Sequence, residues 1–116
     1  MKKIIALLLG SFFLMGSANA EIKTYEGIGE YQRAAVDYTR AIELDNRNIS
    51  AYLGRGIANY YLRAYNSAIS DLNAVIQLDN RNAKAYYTRG LCFDKIYRRY
   101  DALRDFGIAR YLGYRD

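Results

Sequence analysis

The sequence predicts an all-α protein built from antiparallel helix-turn-helix repeats. The first observation is that Leu-Asp-Asn-Arg-Asn occurs at residues 44–48 and again at 78–82, a spacing of 34 residues. The second is that 9 of 18 positions are identical between residues 31–48 and 65–82. The third is that apolar residues recur every three or four positions, as on one face of a helix. Such units indicate a stacked array, because one helical pair alone cannot bury its apolar face.

The first 20 residues have the three-part form of a secretory signal peptide. Lys2 and Lys3 precede an apolar run over residues 4–15, and Ala18-Asn19-Ala20 supplies the small side chains that a signal peptidase needs. The apolar run is too short to span a bilayer comfortably. We therefore expect an exported protein, periplasmic or secreted, that is cleaved after Ala20. An uncleaved anchor or a buried first helix is the alternative.

One incomplete and two complete repeats follow the predicted signal peptide over residues 1–20. We assign residues 21–48 to a partial first repeat, 49–82 to the second and 83–116 to the third. The first repeat keeps only a short first helix, roughly Glu21 to Ile28, because a full step backwards enters the signal peptide. Arrays usually need three units and capped ends. We expect ends that are covered by a second copy or by a partner, with a marginally stable monomer as the third option.

Helical spacing places four helices in the second and third repeats. They are predicted at roughly Ser50–Arg63, Asn66–Leu78, Lys84–Tyr97 and Tyr100–Leu112. The link over residues 79–82 carries Asp and Asn side chains, which bond to nearby backbone amides, and Asn82 can cap the following helix. These links therefore end one repeat and begin the next.

Glycines recur inside the first helix of each complete repeat. Gly56 and Gly90 each cost about 1 kcal/mol relative to Ala in a helix interior. A recurring residue with that cost indicates that two helices approach closely. Ala68 and Ala102, twelve residues later, are small enough to lie against them.

Arginines and aspartates recur with the same period. They are Arg55 and Arg89, with Asp37, Asp71 and Asp105. An anion site is one interpretation. We favour partly buried ion pairs that set the register of neighbouring helices. Removing one partner of such a pair would leave an uncompensated charge and cost several kcal/mol.

Composition narrows the function. The chain has 17 Lys and Arg against 12 Asp and Glu, one Cys, and no His, Pro or Trp. Without His there is no imidazole base, no Ser-His or Cys-His pair and no His metal ligand. One Cys cannot form an internal disulfide. We expect no enzyme activity, no cofactor and no metal site, and a buried, unreactive Cys92.

The residues of the complete repeats resemble those of the tetratricopeptide repeats, whose pattern is W-x2-L-G-x2-Y, then A-x3-F, then P. The matching positions are Tyr52, Gly56, Ala68 and Leu72, then Tyr86, Gly90, Phe93, Ala102 and Phe106. The departures are Arg55 and Arg89 at the Leu position, Asn59 at the inner Tyr position, and Asn46 and Asn80 at the Pro position. The resemblance implies a right-handed solenoid whose first helices line a concave groove.

The resemblance also implies that a partner binds in this groove. Carried over by position, the groove residues are Leu53, Ile57, Tyr60, Tyr61, Lys84, Tyr87, Thr88, Leu91, Asp94 and Lys95. They lack the Lys and Asn constellation with which some members clamp a C-terminal carboxylate. We expect a peptide or helix with an apolar face, because Tyr and Leu offer large contact area. The alternative is that Tyr60, Tyr61 and Tyr87 only pack the solenoid.

The leading hypothesis is therefore a non-catalytic scaffold or adaptor in the cell envelope or outside the cell. An enzyme accessory or vestigial enzyme is the alternative, with acid-base chemistry from Asp94 or Asp101. A weaker alternative is contact with an anionic membrane surface through basic residues near the C-terminus. These are Lys95, Arg98, Arg99, Arg104, Arg110 and Arg115. We expect no nucleic-acid partner, because an exported protein seldom meets one.

Overall fold

The structure is a computed structural model, and it describes residues 27–115. Within this range the chain forms five helices and no strands. They are α1 over residues 27–44, α2 over Ile49–Tyr61, α3 over Tyr65–Leu78, α4 over Ala83–Lys95 and α5 over Arg99–Tyr111. Links of three or four residues make successive helices antiparallel. The all-α repeat fold is confirmed, and the four helices predicted for the complete repeats begin and end within two residues of those observed.

The chain divides into two compact units, residues 1–30 and 31–116. The described part of the first unit, residues 27–30, is helical. The predicted signal peptide lies outside the described residues. The predicted end of a short helix at Ile28 is wrong, because residues 27–44 are helical without a break. Gly27 and Gly29 mark this stretch as a candidate break, but both are accommodated inside α1, where each Gly costs about 1 kcal/mol relative to Ala.

The links between repeats are built by Asp and Asn side chains. Asp79 Oδ1 accepts a hydrogen bond from the backbone N–H of Arg81 at 3.1 Å. Asn82 Oδ1 accepts one from the N–H of Ala85 at 3.0 Å and so caps α4, as predicted. The same two bonds occur in the preceding link, over residues 45–48 and the start of α2. Asn and Asp thus stop and restart the helices without proline.

The links inside the complete repeats have a different chemistry. Arg63 and Tyr97 have φ angles of 62° and 64°, in the left-handed region that costs a residue with a Cβ about 1–2 kcal/mol. Both side chains are exposed. The N–H of Ala64 returns to the carbonyl of Asn59 at 2.8 Å and closes the end of α2. Packing of the two helices imposes this turn, since neither Arg nor Tyr prefers it.

The hydrophobic core lies between α2, α3 and α4. Its fully buried side chains are Ala68, Leu72 and Val75 of α3 with Ala85 and Cys92 of α4. Partly buried side chains surround them: Ile49, Tyr52, Leu53, Tyr60, Tyr65, Ile69 and Ile76. Cys92 is a free thiol, and burial raises its pKa to about 12. The predicted burial is confirmed, and a thiol with so high a pKa is a poor nucleophile at neutral pH.

The recurring glycines allow the close helix packing that the sequence predicts, and a large side chain lies nearest to each of them. A Cβ on Gly90 would lie 2.7 Å from the Phe106 ring and 3.3 Å from the Ala102 carbonyl oxygen. A Cβ on Gly56 would lie 3.1 Å from the Leu72 side chain and 3.4 Å from the Asp71 Cβ. Leu72 and Phe106 each lie sixteen residues after the glycine that they face. Ala68 and Ala102 are themselves buried.

Candidate functional site

The residues predicted to line the groove lie on α2 and α4, which pack against each other. We call this set of side chains the groove face. On α2, the partly buried residues are Leu53, Ile57 and Tyr60, and Tyr61 is 53% exposed. On α4, Tyr87 and Leu91 are partly buried, whereas Lys84, Asp94 and Lys95 are exposed. The apolar members of this set therefore lie on both helices, and its charged members lie on α4.

A cluster of tyrosines forms the α2 part of the groove face. The Tyr61 ring stacks on that of Tyr31 with centroids 4.6 Å apart and planes at 9°. Tyr60 meets Tyr61 edge-on at 5.3 Å and Tyr65 at 5.9 Å. Rings from α1, α2 and α3 thus hold one another in place, and contacts of this kind add to the energy of burial. Sequence reasoning missed Tyr31 as a site residue, although its recurrence at Tyr65 was visible.

Tyr60 connects this cluster to α4. Burial raises the pKa of the Tyr60 hydroxyl, and unfavourable electrostatics from Tyr65, Cys92, Tyr61 and Asp94 raise it further. Tyr60 also packs against the core cluster, which contains Cys92 of α4. A ligand on the groove face would meet both helices there.

Thr88 does not belong to the exposed groove face, and its prediction there is wrong. Its side chain is buried, with 5% of the residue exposed. The corresponding residue of the preceding repeat is Gly54, where a Cβ would collide with the Tyr38 ring of α1. This repeat position therefore faces the second helix of the preceding repeat. Sequence reasoning missed the Gly54–Tyr38 contact, because Gly54 does not recur as Gly: the residue 34 positions later is Thr88.

Tyr87 lies at the C-terminal end of the array. Its ring stacks on Tyr114 with centroids 4.3 Å apart and lies 5.6 Å from Phe106. With Ala109 and Arg110, these residues line a cavity of about 320 Å³. Tyr87 thus contacts the segment after α5. The sequence analysis, which assigned Tyr87 to the groove, did not predict this contact.

The predicted arginine–aspartate pairs are present between the two helices of each complete repeat. Arg55 donates from Nε and Nη2 to the two oxygens of Asp71, at 3.0 and 2.7 Å. Arg89 donates in the same way to Asp105 at 2.7 and 2.8 Å. These hydrogen bonds raise the pKa of both guanidinium groups. Asp37 is exposed and pairs with neither arginine, because the position one repeat before Arg55 is Glu21.

Each of these arginines also reaches the preceding repeat. Arg55 Nη1 donates to Thr39 Oγ1 of α1 at 3.1 Å, and Arg89 Nη1 donates to Asn73 Oδ1 of α3 at 2.9 Å. Asn59 Nδ2 donates to Asp71 Oδ2 at 3.1 Å, which explains why an amide occupies the family's inner Tyr position. Among the described residues, no buried side-chain nitrogen or oxygen lacks a hydrogen-bond partner. Each arginine is also paired with an aspartate, which favours a framework over an anion site.

A polar cavity of about 670 Å³ adjoins this network between α1 and α3. Its lining includes Thr39, Arg40, Arg55, Asn59 and Asp71. At the corresponding place in the third repeat, Phe93 replaces Asn59, and the guanidinium groups of Arg89 and Arg98 lie over its ring.

The basic residues near the C-terminus separate into two groups. Arg98 donates to Asp101 at 2.8 Å, and Arg104 donates to the other oxygen of Asp101 at 3.0 Å. Asp101 therefore holds two guanidinium groups at once, one on each carboxylate oxygen. The remaining arginines of this region are exposed: Arg99, Arg110 and Arg115.

The described residues contain no group of three His, Cys, Asp or Glu side chains arranged to hold a metal ion. Among residues 27–115, no helix is both long enough and apolar enough to cross a bilayer.

Stacked helical pairs with an exposed face on their first helices define a helical-repeat protein of the solenoid class. The chain resembles the Arabidopsis OM64 TPR domain with a TM-score of 0.72 and 31% identity, over 77% of this chain and 73% of that chain. On this likeness the chain belongs to the tetratricopeptide repeat family. No sequence model of a protein family matches the chain, and no curated protein matches it.

Two further solved structures were determined with peptides. The second TPR domain of Spaghetti (RPAP3), bound to the HSP90 peptide SRMEEVD, has a TM-score of 0.70 and 31% identity, over 72% of this chain and 78% of that chain. The second TPR domain of human RPAP3, in complex with the HSP70 peptide SGPTIEEVD, has a TM-score of 0.70 and 30% identity, over 73% and 71%.

Proposed function

We propose that this protein is a non-catalytic interaction module whose groove face binds a peptide or helix of a partner protein. The observation that carries the proposal is the tyrosine cluster of α2. Tyr61 is 53% exposed, yet its ring is held between Tyr31 and Tyr60. An exposed aromatic side chain that is already ordered loses little entropy when a ligand covers it. Peptide binding by structurally similar domains supports the same function.

The chemistry of the groove face favours an apolar ligand over an acidic one. Leu53, Ile57 and Leu91 are partly exposed between the tyrosines and the charged residues. The positive charges of Lys84 and Lys95 are offset in part by Asp94, so the face has no concentrated positive potential. We therefore propose an amphipathic segment that lays its apolar side on the tyrosines, in the helix-in-groove manner.

The test is selection of peptides from a random display library on the purified protein, followed by calorimetry. We expect a selected peptide to bind about tenfold more weakly to Tyr61→Ala than to the unaltered protein, a loss of about 1.4 kcal/mol. The control is Tyr100→Ala, which removes a more exposed ring, at 89%, from α5 and should leave the Kd within about twofold. The acidic peptide SRMEEVD should bind more weakly than the selected peptide.

Three results would contradict the proposal. One is that the library yields no binding peptide. Another is that Tyr61→Ala and Tyr100→Ala weaken binding equally, which would indicate a nonspecific aromatic contact. The third is that SRMEEVD binds more tightly than the selected peptides, which would indicate recognition of acidic groups.

We further propose that the protein acts after export, in the periplasm or outside the cell. The support is the signal-peptide pattern over residues 1–20. Intact-mass and N-terminal peptide analysis of protein from the exported fraction should find a chain that begins at Glu21. A chain that keeps Met1 and stays with the cytoplasmic fraction would refute export.

A further inference from the structure

The solvent-facing side of α5 carries aromatic side chains where that of α3 carries uncharged polar ones. Tyr100, Arg104, Gly107 and Tyr111 follow one another at spacings of four, three and four, so they lie on one line along the helix. Tyr97 lies in the link just before α5. We call these five residues the outer stripe. The residues 34 positions before its four helical members are polar and uncharged: Asn66, Ser70, Asn73 and Gln77.

The helical positions of the outer stripe stay open in the middle of the array. All four polar residues at these positions of α3 are exposed, although α4 and α5 follow α3 in the chain. On α5, Tyr100 and Tyr111 are 89% and 85% exposed, and Tyr97 in the preceding link is 94% exposed. A further repeat stacked on α5 as α4 is stacked on α3 would therefore leave the stripe in contact with solvent.

The three tyrosine rings of the outer stripe do not help to pack the fold. Among residues 27–115, none of them contacts another aromatic ring, whereas the tyrosines of α2 form the stacked cluster described above. They also lie outside the set of residues that form or surround the hydrophobic core. Three large rings on one side of the molecule that support no packing indicate a surface that contacts something else.

The exposed charges around the outer stripe are all positive. The Asp101 side chain is 24% exposed and holds two arginines, and the Asp105 side chain is fully buried. The exposed charged residues of α5 and of the position before it are Arg98, Arg99, Arg104 and Arg110. By comparison, α1 and α4 expose carboxylates beside their basic residues, and neither α2 nor α3 has an exposed charged residue. Among the described helices, only α5 therefore presents several positive charges without an exposed negative one.

This combination of side chains favours the surface of an anionic bilayer. A tyrosine ring has an apolar body and a polar tip, which suits the boundary between hydrocarbon and water. Arginine can bury its stem there while its guanidinium group stays among the lipid phosphates. Tyr100 and Tyr111 are about 16 Å apart along the helix axis. Such a line of rings matches a helix that lies in the plane of a bilayer, whereas the anchors of a protein interface cluster at its centre.

We propose that the outer stripe lies on the surface of a bilayer that contains anionic lipid. The rings of Tyr97, Tyr100 and Tyr111 enter the headgroup region, and the neighbouring arginines bind lipid phosphates. The outer stripe lies on α5 and the link before it, whereas the groove face lies on α2 and α4. The proposal therefore does not depend on peptide binding in the groove.

Binding is measured by sedimentation of the purified protein with sucrose-loaded vesicles. One set of vesicles contains phosphatidylcholine alone, and the other contains phosphatidylcholine mixed with phosphatidylglycerol. We expect the protein to bind the anionic vesicles at least about tenfold more tightly, because several arginines near an anionic surface each add to the attraction. The difference should shrink as the salt concentration rises, since salt screens exposed charges.

Variants that carry the α3 residues at the outer positions locate the contact. They combine three substitutions, each to the residue found 34 positions earlier: Tyr100→Asn, Arg104→Ser and Tyr111→Gln. The combined variant should bind anionic vesicles at least about tenfold more weakly. The matched control is Arg40→Ser, which removes one exposed arginine from α1 and should weaken binding by no more than about twofold. Tyr61→Ala should leave binding unchanged, which separates the outer stripe from the groove face.

A nitroxide at position 107 reports the contact locally. A Cβ there meets nothing within 4 Å, so Gly107→Cys does not disturb its neighbours. The native Cys92 is buried, which keeps its thiol away from the labelling reagent. We expect anionic vesicles to shield this nitroxide from a water-soluble paramagnetic reagent, whereas a nitroxide at Asn73→Cys on α3 stays accessible. Contact with the vesicle through residues 1–20 alone would not produce this difference.

Equal affinity for the two kinds of vesicle would overturn the proposal. Unchanged binding by the combined variant, or equal access of the reagent to both nitroxides, would do the same. Sedimentation equilibrium without lipid tests a second copy as the occupant. A dimer that the combined variant dissociates would assign the outer stripe to self-association and refute the bilayer contact. A monomer that binds anionic vesicles and loses this binding in the combined variant supports the proposal.

Discussion

At the scale of single residues, the two arginine–aspartate pairs differ in the partners that remain for the aspartate carboxylate when its arginine is removed. The Asp105 side chain is 0% exposed, and its partners are Arg89 and, at 3.9 Å, Arg104. The Asp71 side chain is 6% exposed and also accepts a hydrogen bond from Asn59. The framework of the third repeat therefore depends more on its arginine than that of the second.

We predict that Arg89→Ala lowers the free energy of unfolding by about 3–5 kcal/mol, because it leaves the buried Asp105 carboxylate with only Arg104, at 3.9 Å. Arg55→Ala should cost less, since Asn59 still serves Asp71. Asp37→Ala is the control, and an exposed carboxylate without an arginine partner should change stability by less than about 0.5 kcal/mol. Urea unfolding measures all three. If Arg89→Ala and Asp37→Ala had the same midpoint, the pair would not stabilise the fold.

At the scale of helices and links, the chain uses two kinds of turn. Links between repeats carry the Asp and Asn residues that local chemistry selects, so sequence alone located them and predicted the Asn82 cap. Links within repeats place Arg63 and Tyr97 at positive φ, where local preference argues against them. Helix packing overrides local preference there, so no sequence pattern could reveal this geometry.

A glycine at the positive-φ position of a link within a repeat should make the protein more stable. We predict that Tyr97→Gly stabilises the protein by about 1 kcal/mol, because Gly removes the left-handed penalty and Tyr97, at 94% exposed, contributes little packing. Arg81→Gly is the matched control in a link where φ is negative, and it should be neutral or destabilising. The midpoints of urea unfolding of both variants test this prediction. A lower midpoint for Tyr97→Gly would mean that the exposed ring stabilises the turn.

At the scale of the whole molecule, the repeat explains both what the sequence predicted and what it missed. Most features that recur every 34 residues were found: the helices, the Asn caps and the Arg–Asp pairs. The left-handed turns at Arg63 and Tyr97 recur as well, but helix packing imposes them. Features that occur once were missed, such as Tyr38 over Gly54 and Tyr114 over Tyr87. The burial of Thr88 depends on how each first helix is rotated against the preceding repeat, which periodicity within one helix does not specify.

The arginine bridges also bear on how the array comes apart. Arg55 and Arg89 each bond to residues sixteen positions before and sixteen after, so each joins three helices across a repeat boundary. Opening one repeat therefore breaks a hydrogen bond that belongs to its neighbour, which is a nearest-neighbour coupling energy in an Ising description of repeat proteins. Such coupling opposes fraying from one end. Amide exchange in α3 and α4 should consequently proceed through a common cooperative opening.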